Sequence, residues 1–169
     1  YLVIVNKPAW IDVHPWDFKT KDLSLIDLVN DYLWDKYNSL TFKPSLIHRI
    51  DRDTSWIILI AKKKDILTKL VSDLKNKNKI EKTYLALVIW KLKNKSWTIN
   101  KKLLRIENAK RENKVRVSDN WKEAITHYKV IWEYKLETKN KTEDISLLEI
   151  NIETWRMHQI RVHLSHIWN

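Results

Sequence analysis

Residues 45–61 read SLIHRIDRDTSWIILIA, in which a charged polar loop runs directly into an apolar strand. The run at 57–61 is uninterrupted by polar residues and rich in β-branched side chains, which is typical of a strand inside a sheet. The loop before it carries two arginines, two aspartates and a histidine within six positions. Since a buried strand fixes the end of this loop, we expect its polar side chains to be held against a rigid core.

Strand and helix patterns alternate on both sides of this stretch. Residues 1–5 form an apolar run expected of a buried strand, and Ser24 followed by Asp27 predicts a capped helix start. Residues 65–76 carry apolar side chains at helical spacing. Residues 82–89 predict another strand, with alternate apolar residues on one face. The first half of the chain is therefore predicted to alternate between strands and helices.

The second half reads mainly as antiparallel strands and one helix. Residues 101–123 are polar and weakly periodic, which favours an extended or hairpin excursion. Residues 125–134 predict a strand, 135–144 a charged turn region and 148–152 an alternating strand. Residues 156–167 predict a helix with one inward face. The predicted fold class is α/β of the α+β type, with a mixed, largely antiparallel sheet and flanking helices.

Length and composition predict one globular domain. In a chain of 169 residues, 44% of them hydrophobic, about 70% of the unfolded surface can be buried without a disulfide or a metal. The absence of cysteine excludes thiol catalysis and thiolate metal sites. No apolar run reaches the length of about 18 residues that a membrane span needs. We expect a soluble, cytoplasmic domain over residues 1–169, as a fragment that lacks N- and C-terminal flanking parts.

Glycine and tryptophan occur in abnormal numbers. Average usage of about 7% would give about 12 glycines, whereas the chain has no glycine and ten tryptophans. Trp10, Trp56, Trp97 and Trp155 stand where turn-forming glycine is expected. We hypothesise that the ten positions are glycine in the living cell, encoded by a codon, most simply UGA, that is translated here as tryptophan. The alternative is a protein that genuinely lacks glycine.

The charge indicates a polyanionic partner. The chain has 32 Lys and Arg against 21 Asp and Glu, for a formal net charge of +11. Nucleic acid is the commonest polyanion that basic proteins bind. A protein from a lysine-biased proteome would show the same balance, so charge alone does not identify the partner.

The loop at 45–56 has two interpretations on spacing alone. A carboxylate flanked by arginines stays charged, which suits a nucleophile or an electrostatic stabiliser better than a proton donor. The same residues also describe an Arg/Asp ion-pair network that braces a turn. His158, His163 and His166 lie close together, but their spacings of five and three residues are not those of a helical metal-ligand pair. We therefore expect no metal site.

Four ordered segments acquire a recognisable form when Trp is read as Gly. NKPAW becomes NKPAG, HRIDRDTSW becomes HRIDRDTSG and ETWRMHQIRVHLSHIWN becomes ETGRMHQIRVHLSHIGN, with EKTYLALVIW between the last two. These segments resemble the signature motifs of the RluA-type pseudouridine synthases, which isomerise uridine in ribosomal and transfer RNA. The resemblance follows the family's order and spacing over nearly the whole chain. Trp10, Trp56, Trp155 and Trp168 fall on its glycine positions.

The resemblance implies a catalytic domain with a central basic cleft and with Asp51 as its catalytic aspartate, here preceded by Ile50 where the family has Leu. Arg161 would pair with Asp51 and keep it charged. Tyr84 would stack on the extruded uracil, and its hydroxyl would handle the proton at carbon 5. By pattern alone, a strand tyrosine is more typical of the core than of an active site. An arginine on an amphipathic helix is as typical of solvent exposure as of a functional contact.

Two further residues match the family's substrate site. Arg49 would fill the gap left when a uridine is flipped out of the RNA; a phosphate contact or a structural ion pair is the alternative. Leu164 would line the pocket, although its helical spacing equally makes it a core residue. The implied reaction needs no cofactor and no metal.

The resemblance predicts an RNA pseudouridine synthase that acts on large-subunit ribosomal RNA, with transfer RNA as the other substrate class. No DNA or membrane partner is expected, and the predicted state is a monomer. The alternative is a non-catalytic RNA-binding or ribosome-assembly module on the same fold, which Trp56 and Trp155 favour if they are the native residues. A metal-dependent nuclease is a third interpretation, with less support from the residues.

Overall fold

The computed structural model describes residues 1–15, 23–37, 41–76, 79–107, 113–138 and 141–168. The chain divides into two compact units, residues 1–80 and 81–169. The described residues of the first unit form strand β1 (Leu2–Lys7), helix α1 (Leu25–Tyr37), strands β2 (Ser45–Leu46) and β3 (Trp56–Ala61), and helix α2 (Lys64–Lys75). Those of the second unit form strands β4 (Thr83–Val88), β5 (Ser96–Asn100), β6 (Leu103–Glu107), β7 (Asn113–Val117), β8 (Ile125–Glu137) and β9 (Thr142–Ile152), and helix α3 (Gln159–Trp168). None of the described helices is long and apolar enough to cross a bilayer.

Strand β3 is the centre of the first unit's sheet, with β1 and β2 antiparallel on either side. Its Ile58 and Ile60 side chains are fully buried. They form one apolar cluster with the inward residues of α1, which are Leu25, Ile26, Val29 and Leu33. The predicted central strand and the predicted helix face are confirmed. The charged loop between β2 and β3 is consequently anchored at both ends to this sheet.

Two predictions for the start of the chain have different outcomes. The helix cap is confirmed, because the Asp27 carboxylate accepts the backbone N–H of Ser24 at 3.0 Å and its hydroxyl at 2.6 Å. The expected burial of the first strand is only half right. Val3 and Val5 pack against the core, but Ile4 is 65% exposed, because successive strand residues point to opposite faces.

A four-stranded antiparallel sheet in the order β4-β9-β8-β5 forms the body of the second unit. Its inner face packs Tyr128, Leu148 and Ile150 into one cluster with Leu164 of α3. Strands β6 and β7 form a separate hairpin, as the pattern at 101–123 predicts. With antiparallel sheets and three helices among the described residues, the chain has the predicted α+β fold class.

The predicted turn region at 135–144 is wrong at its edges. Strand β8 extends to Glu137 and β9 begins at Thr142, so both strands reach further than the pattern predicts. The charged residues that suggested a turn face each other on the two paired strands, with Lys135 of β8 opposite Asp144 of β9. Opposite charges at facing positions stabilise an antiparallel pair and do not end it.

Trp10 adopts a backbone conformation that tryptophan disfavours. Its φ is 73°, in the left-handed region where a Cβ atom clashes with the backbone and glycine does not. Its side chain is 71% exposed, so little burial offsets the strain. Five more tryptophans are exposed in the described residues: Trp97, Trp121, Trp132, Trp155 and Trp168.

Exposed indoles and a left-handed tryptophan are both expected if these positions are glycine, and the hypothesis stays a prediction. One detail of it changes. Trp97 lies within β5 and not in a turn, so turn geometry does not support glycine there. Trp16 lies outside the described residues.

Candidate active site

Asp51 begins a turn in the loop between β2 and β3. The backbone N–H of Thr54 donates to the Asp51 carbonyl at 3.2 Å, and Asp51 itself is half-buried. The preceding residue, Ile50, packs against the core of the first unit. Arg49 is exposed. The loop thus anchors its backbone through Ile50 and presents a carboxylate and a guanidinium from the two flanking positions.

A buried lysine holds this turn from the end of β1. Lys7 is fully buried, and its ammonium donates to the carbonyls of Pro8 at 2.7 Å, Ile11 at 2.9 Å and Arg52 at 2.9 Å. Since an ammonium has three protons, its donor capacity is used in full. Burial lowers the pKa of Lys7, while nearby carboxylates act in the opposite direction. The bond to Arg52 fixes the backbone one residue beyond Asp51.

The segment NKPAW and the Asp51 turn are also joined through Trp10. The Trp10 N–H donates to the Arg52 carbonyl at 2.8 Å, and Arg52 Nε donates to the Trp10 carbonyl at 3.2 Å. The sequence alone does not decide whether Lys7 serves the fold or contacts RNA. Its burial and its three carbonyl partners assign it to the fold. The sequence feature that could have indicated this structural role is a lysine placed directly at the end of an apolar strand.

His48 supports the start of the same loop. Its Nε2 accepts the backbone N–H of Leu59 at 3.2 Å, which ties the loop to the central strand. Its ring also meets Trp56 edge to face, with ring centroids 5.4 Å apart. A glycine at position 56 would remove the ring contact and leave the hydrogen bond to the strand.

Tyr84 and Leu164 lie together in the second unit. Tyr84 is half-buried on the inner face of β4, opposite Ile150 of β9. It packs against the apolar cluster that includes Leu164, which is 4% exposed. Arg161 is carried by the same helix as Leu164 but is exposed. Asp51 belongs to the first unit, and its pairing with Arg161 stays a prediction.

Two buried polar side chains on α3 were not predicted as site residues. Gln159 and His163 are 3% and 0% exposed. The ring nitrogens of His163 each lie 2.9 Å from an oxygen, Nδ1 from the Thr126 hydroxyl and Nε2 from the Lys101 carbonyl. Burial lowers the pKa of His163, the bond to the Lys101 carbonyl acts in the opposite direction, and His166 lowers it further. Among the described residues, no three His, Cys, Asp or Glu side chains are grouped to hold a metal ion.

Lys82 adds a positive charge at the start of the Tyr84 strand. Its ammonium lies 4.9 Å from the centroid of the Trp155 ring, within the range of a cation–π contact. Burial lowers the pKa of Lys82. A glycine at position 155 would remove the ring that this ammonium contacts.

The fold is shared with pseudouridylate synthase domains of known structure. Human RNA pseudouridylate synthase domain containing 1 matches with a TM-score of 0.74 at 21% identity, over 99% of this chain and 62% of that one. Human RNA pseudouridylate synthase domain containing 4 matches with a TM-score of 0.71 at 23% identity, over 98% of this chain and 60% of that one. At these identities the likeness concerns the fold alone.

The family model for RNA pseudouridylate synthases matches residues 1–166. The chain belongs to this family, and the RluA-type resemblance of its motifs is confirmed. Ribosomal large subunit pseudouridine synthase C of Buchnera aphidicola subsp. Baizongia pistaciae is 38% identical over 173 residues, which cover 99% of this chain and 48% of that protein. Ribosomal large subunit pseudouridine synthase D of Xylella fastidiosa is 32% identical over 169 residues, which cover 99% of this chain and 46% of that protein. The chain spans about half the length of these curated relatives.

Proposed function

We propose that this chain is the catalytic part of an RNA pseudouridine synthase, an isomerase that converts uridine in RNA to pseudouridine. The reaction breaks the bond between the ribose and nitrogen 1 of uracil and joins the same ribose carbon to carbon 5. Carbon 5 loses its hydrogen as a proton and nitrogen 1 gains one. Atoms and electrons therefore balance without a cofactor, an oxidant or an energy source.

The observation that carries this proposal is the way the Asp51 turn is held. The Arg52 carbonyl, next to Asp51, accepts hydrogen bonds from both Lys7 and Trp10, while Ile50 packs against the core. Such fixation suits catalysis, because displacing a reacting group by about 1 Å can cost about a hundredfold in rate. Asp51 would attack the sugar or the base, or remove a sugar proton, and each route needs an ionised carboxylate in a fixed place.

The other predicted residues are assigned supporting roles. Arg161 is the proposed cationic partner of Asp51. Tyr84 stacks on the flipped uracil and handles the proton at carbon 5, and Leu164 lines the pocket wall. Arg49 is exposed two residues before Asp51, which supports its proposed insertion into the RNA at the place of the flipped base.

The proposed substrate is large-subunit ribosomal RNA. The names of the two relatives described above refer to the ribosomal large subunit, and the net charge of +11 suits a polyanion. Transfer RNA is the second substrate class. The proposed location is the cytoplasm and the proposed state is a monomer.

Release of tritium tests the reaction. Ribosomal and transfer RNA labelled with tritium at carbon 5 of uridine would be incubated separately with the chain carrying glycine at its ten tryptophan positions, and tritium in water would be counted. We expect release from ribosomal RNA, because carbon 5 exchanges its hydrogen for a bond to ribose. Binding of both RNAs without release would overturn the proposal in favour of a non-catalytic module. RNA cleavage that EDTA stops would overturn it in favour of a nuclease.

A further inference from the structure

Helix α3 is fixed by two buried polar side chains that flank Arg161. Gln159 and His163 are spaced four residues apart, so they lie on one face of the helix, one turn from each other. Both are buried, whereas Arg161 between them is exposed. The orientation of the helix, and hence the direction in which Arg161 leaves it, depends on what Gln159 and His163 contact.

The His163 contacts have one consistent set of donors and acceptors. The Lys101 carbonyl can only accept, so His163 Nε2 donates to it across 2.9 Å. In the neutral ring Nδ1 is then an acceptor, and it receives the hydroxyl proton of Thr126 across 2.9 Å. These partners favour the neutral tautomer that is protonated on Nε2. The Thr126 oxygen in turn accepts from Gln159 Nε2 at 3.0 Å.

The same directional chain continues beyond Gln159. Its Nε2 also donates to the Ile125 carbonyl at 3.0 Å, and its Oε1 accepts the Thr154 hydroxyl at 2.9 Å. The Thr154 oxygen accepts the Ile125 N–H at 2.9 Å, and Gln159 Oε1 also accepts the Arg156 N–H at 3.1 Å. These bonds connect α3 to the first residues of β8 and to the segment that precedes α3, which contains Thr154 and Arg156.

A helix held in this way cannot rotate or slide without breaking several buried and part-buried hydrogen bonds at once. A buried donor or acceptor that loses its partner keeps the full desolvation penalty. A network in which every proton has one direction therefore specifies a single helix position. The apolar packing of Leu164 alone would not specify one position, because such packing tolerates small rotations of the helix.

We propose that the hydrogen-bond network of Thr154, Gln159, Thr126 and His163 positions Arg161 for the isomerisation, with His163 acting as a neutral positioning residue. The catalytic part of this inference rests on the proposed function. The structural part, that the network fixes α3, does not depend on it.

Protonation of His163 would break the network. A proton on Nδ1 would face the Thr126 hydroxyl, whose own proton would lose its acceptor. The titratable group acting on His163 is His166 of the same helix; the contacts from β8 and from Lys101 are an uncharged hydroxyl and a carbonyl. Because burial holds the His163 pKa below its ordinary value, the stability from the neutral ring is complete above a pH of about 6.5 and is lost as the pH falls further.

Two substitutions of Thr126 form a matched test in the 169-residue chain. Thr126→Val has the same shape but lacks the hydroxyl, whereas Thr126→Ser keeps the hydroxyl and loses a methyl group. For tritium release from RNA, we expect Thr126→Val to lower kcat by about tenfold or more with little change in KM. Thr126→Ser should retain most of the original kcat. Unchanged kcat in Thr126→Val, or equal losses in both variants, would overturn the positioning role.

A second measurement does not need activity. Amide hydrogen exchange in α3 should accelerate in Thr126→Val and not in Thr126→Ser, and the imidazole ¹⁵N spectrum should show His163 as the neutral ring protonated on Nε2. Slow α3 exchange in both variants, or a charged His163 at neutral pH, would overturn the structural part. If the unsubstituted chain releases no tritium, the proposed function fails, and the exchange experiment still decides whether the network fixes the helix.

Discussion

At the residue scale, Lys7 ties the Asp51 turn to the end of β1. It brings a positive charge into a fully buried position, which is costly unless the ammonium is hydrogen-bonded. Three backbone carbonyls satisfy it. The carbonyls belong to segments that are far apart in sequence, so one side chain joins the first motif to the loop that carries Asp51.

We expect Lys7→Met to lower the free energy of unfolding by about 2–4 kcal/mol, because it leaves three part-buried carbonyls without their donor. Urea denaturation would measure the change. Lys93→Met is the matched control, since Lys93 is exposed and its loss should change stability by about 0.5 kcal/mol or less. Equal stability of the two variants would contradict the role assigned to Lys7.

Trp10 tests the glycine hypothesis by its backbone geometry. Trp10→Gly and Trp10→Ala both remove the indole, but only glycine also removes the Cβ that a φ of 73° disfavours. We expect the glycine variant to be more stable than the alanine variant by about 1 kcal/mol, measured by urea denaturation. An alanine variant of equal or greater stability would argue against a backbone requirement for glycine.

The coding sequence tests the same hypothesis directly. We expect the ten tryptophan positions to be encoded by UGA, and mass spectrometry of the protein from its own cells to show glycine there. Ten UGG codons would disprove the hypothesis.

At the element scale, the sequence predicts those elements whose burial pattern is regular. The apolar residues of α1 and β3 repeat at the periods of a helix and a buried strand, and both are found where expected. Strand β5 is not predicted, because Ile99 is its only buried residue and a mainly polar strand has no apolar alternation to detect. The hydrogen-bond network around Gln159 cannot be predicted from the sequence either. Its partner Thr126 is distant in sequence, and nothing in the pattern distinguishes it from other threonines in strands.

The cap of α1 gives an element-scale prediction. Asp27→Ala removes the carboxylate that accepts both the N–H and the hydroxyl of Ser24, and we expect a loss of about 1 kcal/mol in unfolding free energy. Asp31→Ala is the control, because it makes the same change at an exposed position in the same helix. If urea denaturation shows the same stability for both variants, the cap does not contribute.

At the scale of the whole molecule, the sequence predicts the family and the fold class but not the hydrogen bonds that hold the candidate site in place. Asp51, Arg49, Tyr84, Arg161 and Leu164 come from motif resemblance, and motifs identify positions without giving contacts. The hydrogen bonds of Lys7 hold the Asp51 turn, and those of Gln159 and His163 hold helix α3. Their backbone and hydroxyl partners are not revealed by any local pattern. The charge of +11 is a property of the whole chain, and it favours RNA without indicating a particular uridine.

The proposed role of Asp51 as the catalytic carboxylate is tested by comparing two variants of its loop. Asp51→Asn and Asp53→Asn each remove one negative charge from the same loop, and Asp53 is the exposed one of the two. We expect tritium release from carbon-5-labelled ribosomal RNA to vanish in Asp51→Asn and to persist in Asp53→Asn, with RNA affinity and folding largely unchanged in both. Full release by Asp51→Asn would show that Asp51 is not the catalytic carboxylate.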